Sequence, residues 1–185
     1  MMYQIIGFSK GKERSQRDFY PTPPEVTEAL VHFLGLKNLT IWEPACGEND
    51  MAQVLRDAGN EVIATDIQSG VDFLTCQPME CDWIITNPPF KLADQFITRC
   101  AEIRKPFALL LKSQYWHAGK RYELFRKHIP SFVLPLTWRP DFLFKNAREY
   151  GQPRRSAAPL MDVIWCAWNP PYVGPALYHP LQKPR

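Results

Sequence analysis

Short apolar runs alternate with segments of helical spacing along this 185-residue chain, and that alternation restricts its fold more than any other feature. Thr22 caps a first predicted helix with Pro23 and Pro24 in its opening turn, and Val26, Ala29, Leu30 and Phe33 then share one face. A strand follows from Leu39 to Trp42, a helix from about Met51 to Ala58 that stops at Gly59, and a strand from Glu61 to Thr65. Asp82 to Thr86 reads as a strand, Leu92 to about Ile103 as a helix, and Phe107 to Leu111 as a strand. Gly119 to His128 reads as a helix, Phe132 to Leu136 as a strand, and Met161 to Trp168 as the last strand. Strands that alternate with helices build a mostly parallel sheet covered on both faces. In the last run Met161, Val163, Trp165 and Ala167 oppose Ile164, Cys166 and Trp168, so both sides are apolar and the strand should be interior despite its late position. One domain over 1–185 is expected, with an irregular basic segment at 1–18 and a Pro-rich extended tail at 169–185.

An apolar content of 45% supports a globular protein. No run approaches the roughly 20 apolar residues that a membrane helix needs, and the N-terminus lacks a secretion-type apolar core, so no membrane association is expected. Cys46, Cys76, Cys81, Cys100 and Cys166 are odd in number and scattered, which argues against a disulfide framework or zinc site and for the reducing cytoplasm. No metal is expected. The net charge of +3 does not by itself demand a polyanionic partner. Residues 10–17 and 139–155 each carry a net charge of +3, either as solvated loops or as nucleic-acid contacts.

The chemistry-bearing residues cluster where strands end. Asn87-Pro88-Pro89-Phe90 terminates the apolar run Trp83-Ile84-Ile85-Thr86. Proline lacks an N–H and fixes φ, so the carbonyls of Asn87 and Pro88 escape a regular ladder and remain acceptors for a planar amino group. Phe90 adds a flat apolar surface. Glu43-Pro44-Ala45-Cys46-Gly47 ends the first strand, and Asp66, 19 residues beyond Gly47, follows the second. Open α/β sheets bind ligands outside such carboxyl ends, with a glycine admitting the ligand and a later carboxylate taking ribose hydroxyls. No G-x-G-x-x-G cradle is present, which disfavours a pyrophosphate-bearing cofactor. Glu43 instead suits a cofactor with positive charge near the sheet, such as S-adenosylmethionine (SAM).

These pieces, spread over residues 19 to 168, resemble the SAM-dependent amino-methyltransferases, in particular the DNA adenine-N6 group frequent in phages and prophages. Phe19-Tyr20-Pro21-Thr22-Pro23 is similar to that family's N-terminal cofactor motif, and Glu43 to Gly47 to its glycine loop. Asp66, with Ile67, resembles its ribose-binding position. Asp72-Phe73 resembles the pair that meets the cofactor's adenine, and Asn87 to Phe90 the catalytic motif. The resemblance implies a Rossmann-like methyltransferase fold with an antiparallel strand near the C-terminus. It implies cofactor contacts from Tyr20, Thr22, Pro23, Glu43, Pro44, Ala45, Cys46, Gly47, Asp66, Ile67, Asp72 and Phe73, and catalysis by Asn87, Pro88, Pro89 and Phe90.

Two oxygen acceptors holding an adenine N6 amine would free its lone pair, and the base must be flipped out or unpaired to reach them. Phe90 stacking is worth roughly 1–3 kcal/mol against a few kcal/mol of unstacking, so a further grip is expected. Lys112, Trp138, Arg139 and Phe142, with Phe144 nearby, are the candidates for it; a solvated lysine and an aromatic cluster under a loop are the alternatives. Trp116 and His117 receive no assignment. DNA is the expected substrate, with RNA adenine, a protein glutamine, or a SAM-binding subunit without activity as alternatives. No separate target-recognition domain is evident, which leaves room for a specificity partner or self-association.

Overall fold

The computed structural model describes residues 20–142, 161–170 and 174–184. Helix α1 (Pro24–Leu34) begins with proline at its first position, where the missing N–H has no intrahelical acceptor to lose. It ends at Gly35, whose φ of 65° is left-handed and sends its N–H back to the Val31 carbonyl. Pro23, not Thr22, is the cap residue, and no side chain caps this helix. Thr22 is buried and engaged elsewhere, as described below.

Strand β1 (Thr40–Glu43), helix α2 (Asp50–Asp57) and strand β2 (Glu61–Ala64) follow, then β3 (Trp83–Thr86), α3 (Ala93–Ile103) and β4 (Phe107–Lys112). Helix α4 (Tyr122–Lys127) completes the helices; the predicted helix from Gly119 opens as a separate single turn of 3-10 helix at Gly119–Arg121. Strands β5 (Phe132–Pro135), β6 (Val163–Trp168) and β7 (Leu177–Tyr178) close the sheet.

The seven strands lie in the order β2-β1-β3-β4-β6-β5-β7. All pairings are parallel except those of β6, which runs antiparallel between β4 and β5. Every residue of β6 is buried, which is why its sequence is apolar on both sides. Alternation divides the core between the two faces. Ala108, Leu110, Val163, Trp165 and Ala167 join α1 and α2 on one side. Phe107, Leu109, Leu111, Ile164, Cys166 and Trp168 join α3 on the other.

The C-terminal region corrects the expected free tail. Leu177 and Tyr178 extend the sheet parallel to β5, and Leu181 is buried in the core. A two-residue run between prolines gives no strand pattern, and an edge position tolerates the missing donors of Pro175 and Pro180.

Candidate active site

Chain order reverses across β1 and β3: β2 lies on one side of β1, whereas β3 and β4 continue on the other. The carboxyl ends of neighbouring strands diverge at such a point and leave a crevice. A cavity of about 490 Å³ opens there, walled by Tyr20 to Thr22, Glu43, Ala45, Cys46, Asp66 to Gln68 and Asn87 to Phe90. Asp50 and Met51, at the start of α2, complete it. Among the described residues its lining holds the carboxylates Glu43, Asp50 and Asp66 and no lysine or arginine.

Glu43 is the last residue of β1 and only 2% exposed. The Ala52 backbone N–H bonds its carboxylate, while Oε2 is buried without a hydrogen-bond partner among the described residues. Burial pushes its pKa from 4.5 up to about 8, against the smaller opposing effects of the Ala52 N–H and the Arg56 charge. Neighbouring Cys46 is also raised, first by burial and then by the charges of Glu43 and Asp66. The loop between β1 and α2 is tied to the end of β2. Cys46 N–H donates to the Thr65 carbonyl (3.0 Å) and Gly47 N–H to Asp66 Oδ2 (2.9 Å). Gly47 takes a φ of 50°, a region in which a Cβ is penalised. Asp66 Oδ1 accepts from Gln68 N–H (2.8 Å), so the carboxylate shapes the loop that holds Ile67 70% exposed at the cavity.

Asn87 connects two distant parts of the chain. Its Nδ2 donates to the Tyr20 carbonyl (3.2 Å) and to Thr22 Oγ1 (3.1 Å). A carbonyl can only accept, so the amide nitrogen must face Tyr20, and Oδ1 is left without a protein donor among the described residues. The Pro89 carbonyl accepts from Leu92 N–H, whereas no backbone donor among the described residues reaches the carbonyls of Asn87 or Pro88. Phe90 faces Tyr20 at a centroid distance of 5.9 Å, and Lys112 Nζ sits 4.3 Å from its ring centroid.

Most of the predicted site residues therefore converge. Pro23, Pro44 and Gly47 do not line the cavity. Asp72 and Phe73 also lie outside the lining. Asp72 caps its own turn through the Leu74 N–H (3.0 Å). Phe73, 2% exposed, is packed in the core against Trp42 and Phe96 (5.1 and 4.8 Å between ring centroids). Of the substrate candidates, only Lys112 reaches the Asn87–Phe90 turn. Phe142 is a core residue, Trp138 packs against that core, and Arg139 pairs with Asp162 at 3.2 Å. Phe144, the basic segment at 10–17 and the greater part of the basic stretch at 139–155 lie outside the described residues. Asp50, Met51 and Gln68 had no sequence signal beyond their position after a strand-end turn.

No protein-family model matches this chain, and neither does any curated protein sequence. Solved structures do match. A type I restriction-modification methyltransferase subunit from Streptococcus thermophilus superposes with a TM-score of 0.58 at 12% identity, over 83% of this chain and 45% of that one. A SAM-dependent O-methyltransferase from Thermotoga maritima gives 0.54 at 14% identity, over 87% and 71%. A Pyrococcus horikoshii protein crystallised as a candidate RNA methyltransferase gives 0.55 at 13% identity, over 80% and 84%. The fold is that of the SAM-dependent methyltransferases. This methyltransferase fold spans less than half of the restriction subunit's length. Its cavity lies at the crevice where open sheets of this architecture take their ligands.

Proposed function

We propose that the protein transfers a methyl group from SAM to the exocyclic N6 amine of adenine in DNA. The observation that carries this reading is the one-sided engagement of Asn87: its donor end is fixed by Tyr20 and Thr22, and its acceptor end is left free beside Phe90. An acceptor pair made of Asn87 Oδ1 and the Pro88 carbonyl suits the two hydrogens of a planar NH2 group. Holding both hydrogens draws the nitrogen toward pyramidal geometry and stabilises the positive charge that grows on it. Phe90 supplies a face for the base, which leaves the duplex to reach it.

The cavity fits the cofactor. Its volume is within the usual range for small-molecule sites, and its carboxylates and lack of cations suit a ligand bearing ammonium and sulfonium charges. The buried, unpartnered Glu43 Oε2 calls for a cationic or hydrogen-donating group. In this reading Asp66, whose two carboxylate oxygens each accept one backbone N–H, uses its remaining acceptor capacity for ribose hydroxyls, and exposed Ile67 covers a flat ring. Bound there, SAM supplies a methyl group already activated as a sulfonium, so no residue of the chain has to act as a base before transfer. The restriction-modification subunit of similar fold is compatible with a DNA substrate.

Supplying tritiated SAM separately with DNA, RNA and cell protein tests this reading. Label should enter DNA as N6-methyladenine. Asn87→Ala should reduce turnover about a hundredfold or more, as for loss of a preorganised polar contact. Label confined to RNA or protein, or an alanine variant with near-normal kcat, would overturn the assignment.

A further inference from the structure

At the opposite end of the sheet, a second cavity of about 590 Å³ opens beside the first residues of β4 and the last of β6. Arg104 and Lys105 reach it from the end of α3, and Lys127 and His128 from the end of α4. Trp168 and the half-exposed Ile129 add apolar wall, and among the described residues no carboxylate lines it. Arg104 and Lys127 are exposed, so solvent and salt screen their charges, and a bound anion would add the counter-charge that the lining lacks.

Arg104 is unusual on two grounds. Arginines 56, 99, 121, 126 and 139 each bond a carbonyl or a carboxylate, whereas Arg104 has no side-chain partner among the described residues. It also sits at the C-cap of α3 with a φ of 63°, a conformation glycine adopts freely and arginine does not. Helix C-termini favour a cation, but that attraction needs no left-handed arginine. Lys105 meets the fully solvated Glu80 at 3.7 Å, and the charge of Glu102 acts on His128. Burial and then the charge of Lys127 hold the His128 imidazole below its ordinary pKa, so the ring adds a neutral donor and acceptor.

We propose that this cavity binds the phosphates of a nucleotide, either free or within a nucleic-acid strand. Arg104, Lys105 and Lys127 take the phosphate oxygens, and Ile129 and Trp168 flank the organic body. The volume exceeds what one inorganic phosphate occupies, and the lining combines three cations with apolar residues. This site is separate from the strand-end crevice and does not depend on the proposed reaction.

Calorimetry on the whole protein, with S-adenosylhomocysteine present to occupy the first cavity, provides the test. The probes are uridine diphosphate and a short oligothymidylate, neither of which offers an adenine. Arg104→Gly removes the cation and relieves the left-handed strain, so its thermal midpoint should be unchanged or raised. Combined with Lys127→Gln, it should weaken binding by about tenfold or more, the effect of losing charge-assisted contacts. Variant-sensitive binding of uridine diphosphate identifies a free nucleotide as the ligand, and variant-sensitive binding of the oligothymidylate alone identifies a strand. Failure of both probes to bind the wild type, or equal binding by wild type and double variant, would overturn the proposal.

Discussion

The side-chain amide of Asn87 has a donor end and an acceptor end, and the fold engages only the donor. Thr22 belongs to that arrangement: its sequence position suggests a helix cap, but its hydroxyl accepts from Asn87. The helix starts adequately with Pro24, so the threonine is free to serve the site. Glu43 presents a different kind of constraint. Its pKa of about 8 in the folded chain, against 4.5 when unfolded, means that the native state holds an extra proton between those values. Stability should therefore be fully present below about pH 4.5, fall as pH rises toward 8, and level off above it. Thermal midpoints across that range should show a decline in wild type that Glu43→Gln removes, and parallel curves would refute the buried-acid account. Lys112 has its ammonium over one face of Phe90, where a stacked base would lie. A contact of this kind is worth about 0.5–2 kcal/mol, little enough for an entering base to displace. The lysine can then grip a phosphate beside the flipped nucleotide. Lys112→Ala should lower the slope of log affinity for DNA against log salt by about one. An unchanged slope, measured by fluorescence anisotropy, would exclude phosphate contact.

Among the elements, the ends of α1 and α2 are joined through one polar side chain. Asn60 Nδ2 donates to the Leu36 and Leu55 carbonyls (3.1 and 3.0 Å), and its Oδ1 accepts from Leu39 N–H (3.2 Å). It therefore aligns β1 and β2, whose far ends carry Glu43 and Asp66. Asn60→Ala should cost about 2–4 kcal/mol in urea unfolding, because buried backbone groups lose their partners. Asn60→Asp should not rescue it, since two of the three bonds need the amide donors; full rescue would show that packing alone matters there. Nothing in the sequence marks Asn60, because a polar residue between a glycine and a strand looks like any turn residue. The strands were legible for the opposite reason. Buried β4 and β6 need apolar side chains on both faces, and such runs stand out. The strand-end turns were legible too, because Pro88, Pro89 and Gly47 each impose a backbone that few other residues allow. Phe73 carried no such signal. One aromatic after an aspartate reads the same whether it faces a ligand or, as here, Trp42 and Phe96 in the core.

At the scale of the whole molecule, the two cavities lie at opposite ends of one sheet and have opposite electrostatic character. Among the described residues the first is lined by carboxylates without cations, and the second by cations without carboxylates. Each lining therefore favours ligand charge of the sign that the other disfavours. The same charge distribution bears on target choice. A base pair read directly needs a bidentate or similarly fixed side chain, worth about 1–3 kcal/mol of discrimination per contact. Around Asn87 to Phe90 the described residues place Lys112 and the Tyr20 ring against Phe90, with Gln68 in the same cavity lining, and none of them forms a fixed bidentate array. Arg139, the other candidate near this stretch of chain, is already paired with Asp162. If the proposed reaction holds, the chain on its own should recognise little beyond the target adenine and a few flanking bases. Expression in a methylation-deficient host, followed by sequencing that maps modified adenines, should return a short or degenerate context. A long fixed recognition sequence would require base-reading residues elsewhere in the chain or on a partner. Repeating the methylation in vitro with the purified chain alone separates those sources. If the long site persists there, discrimination lies within this polypeptide; if it disappears, a specificity partner supplied it.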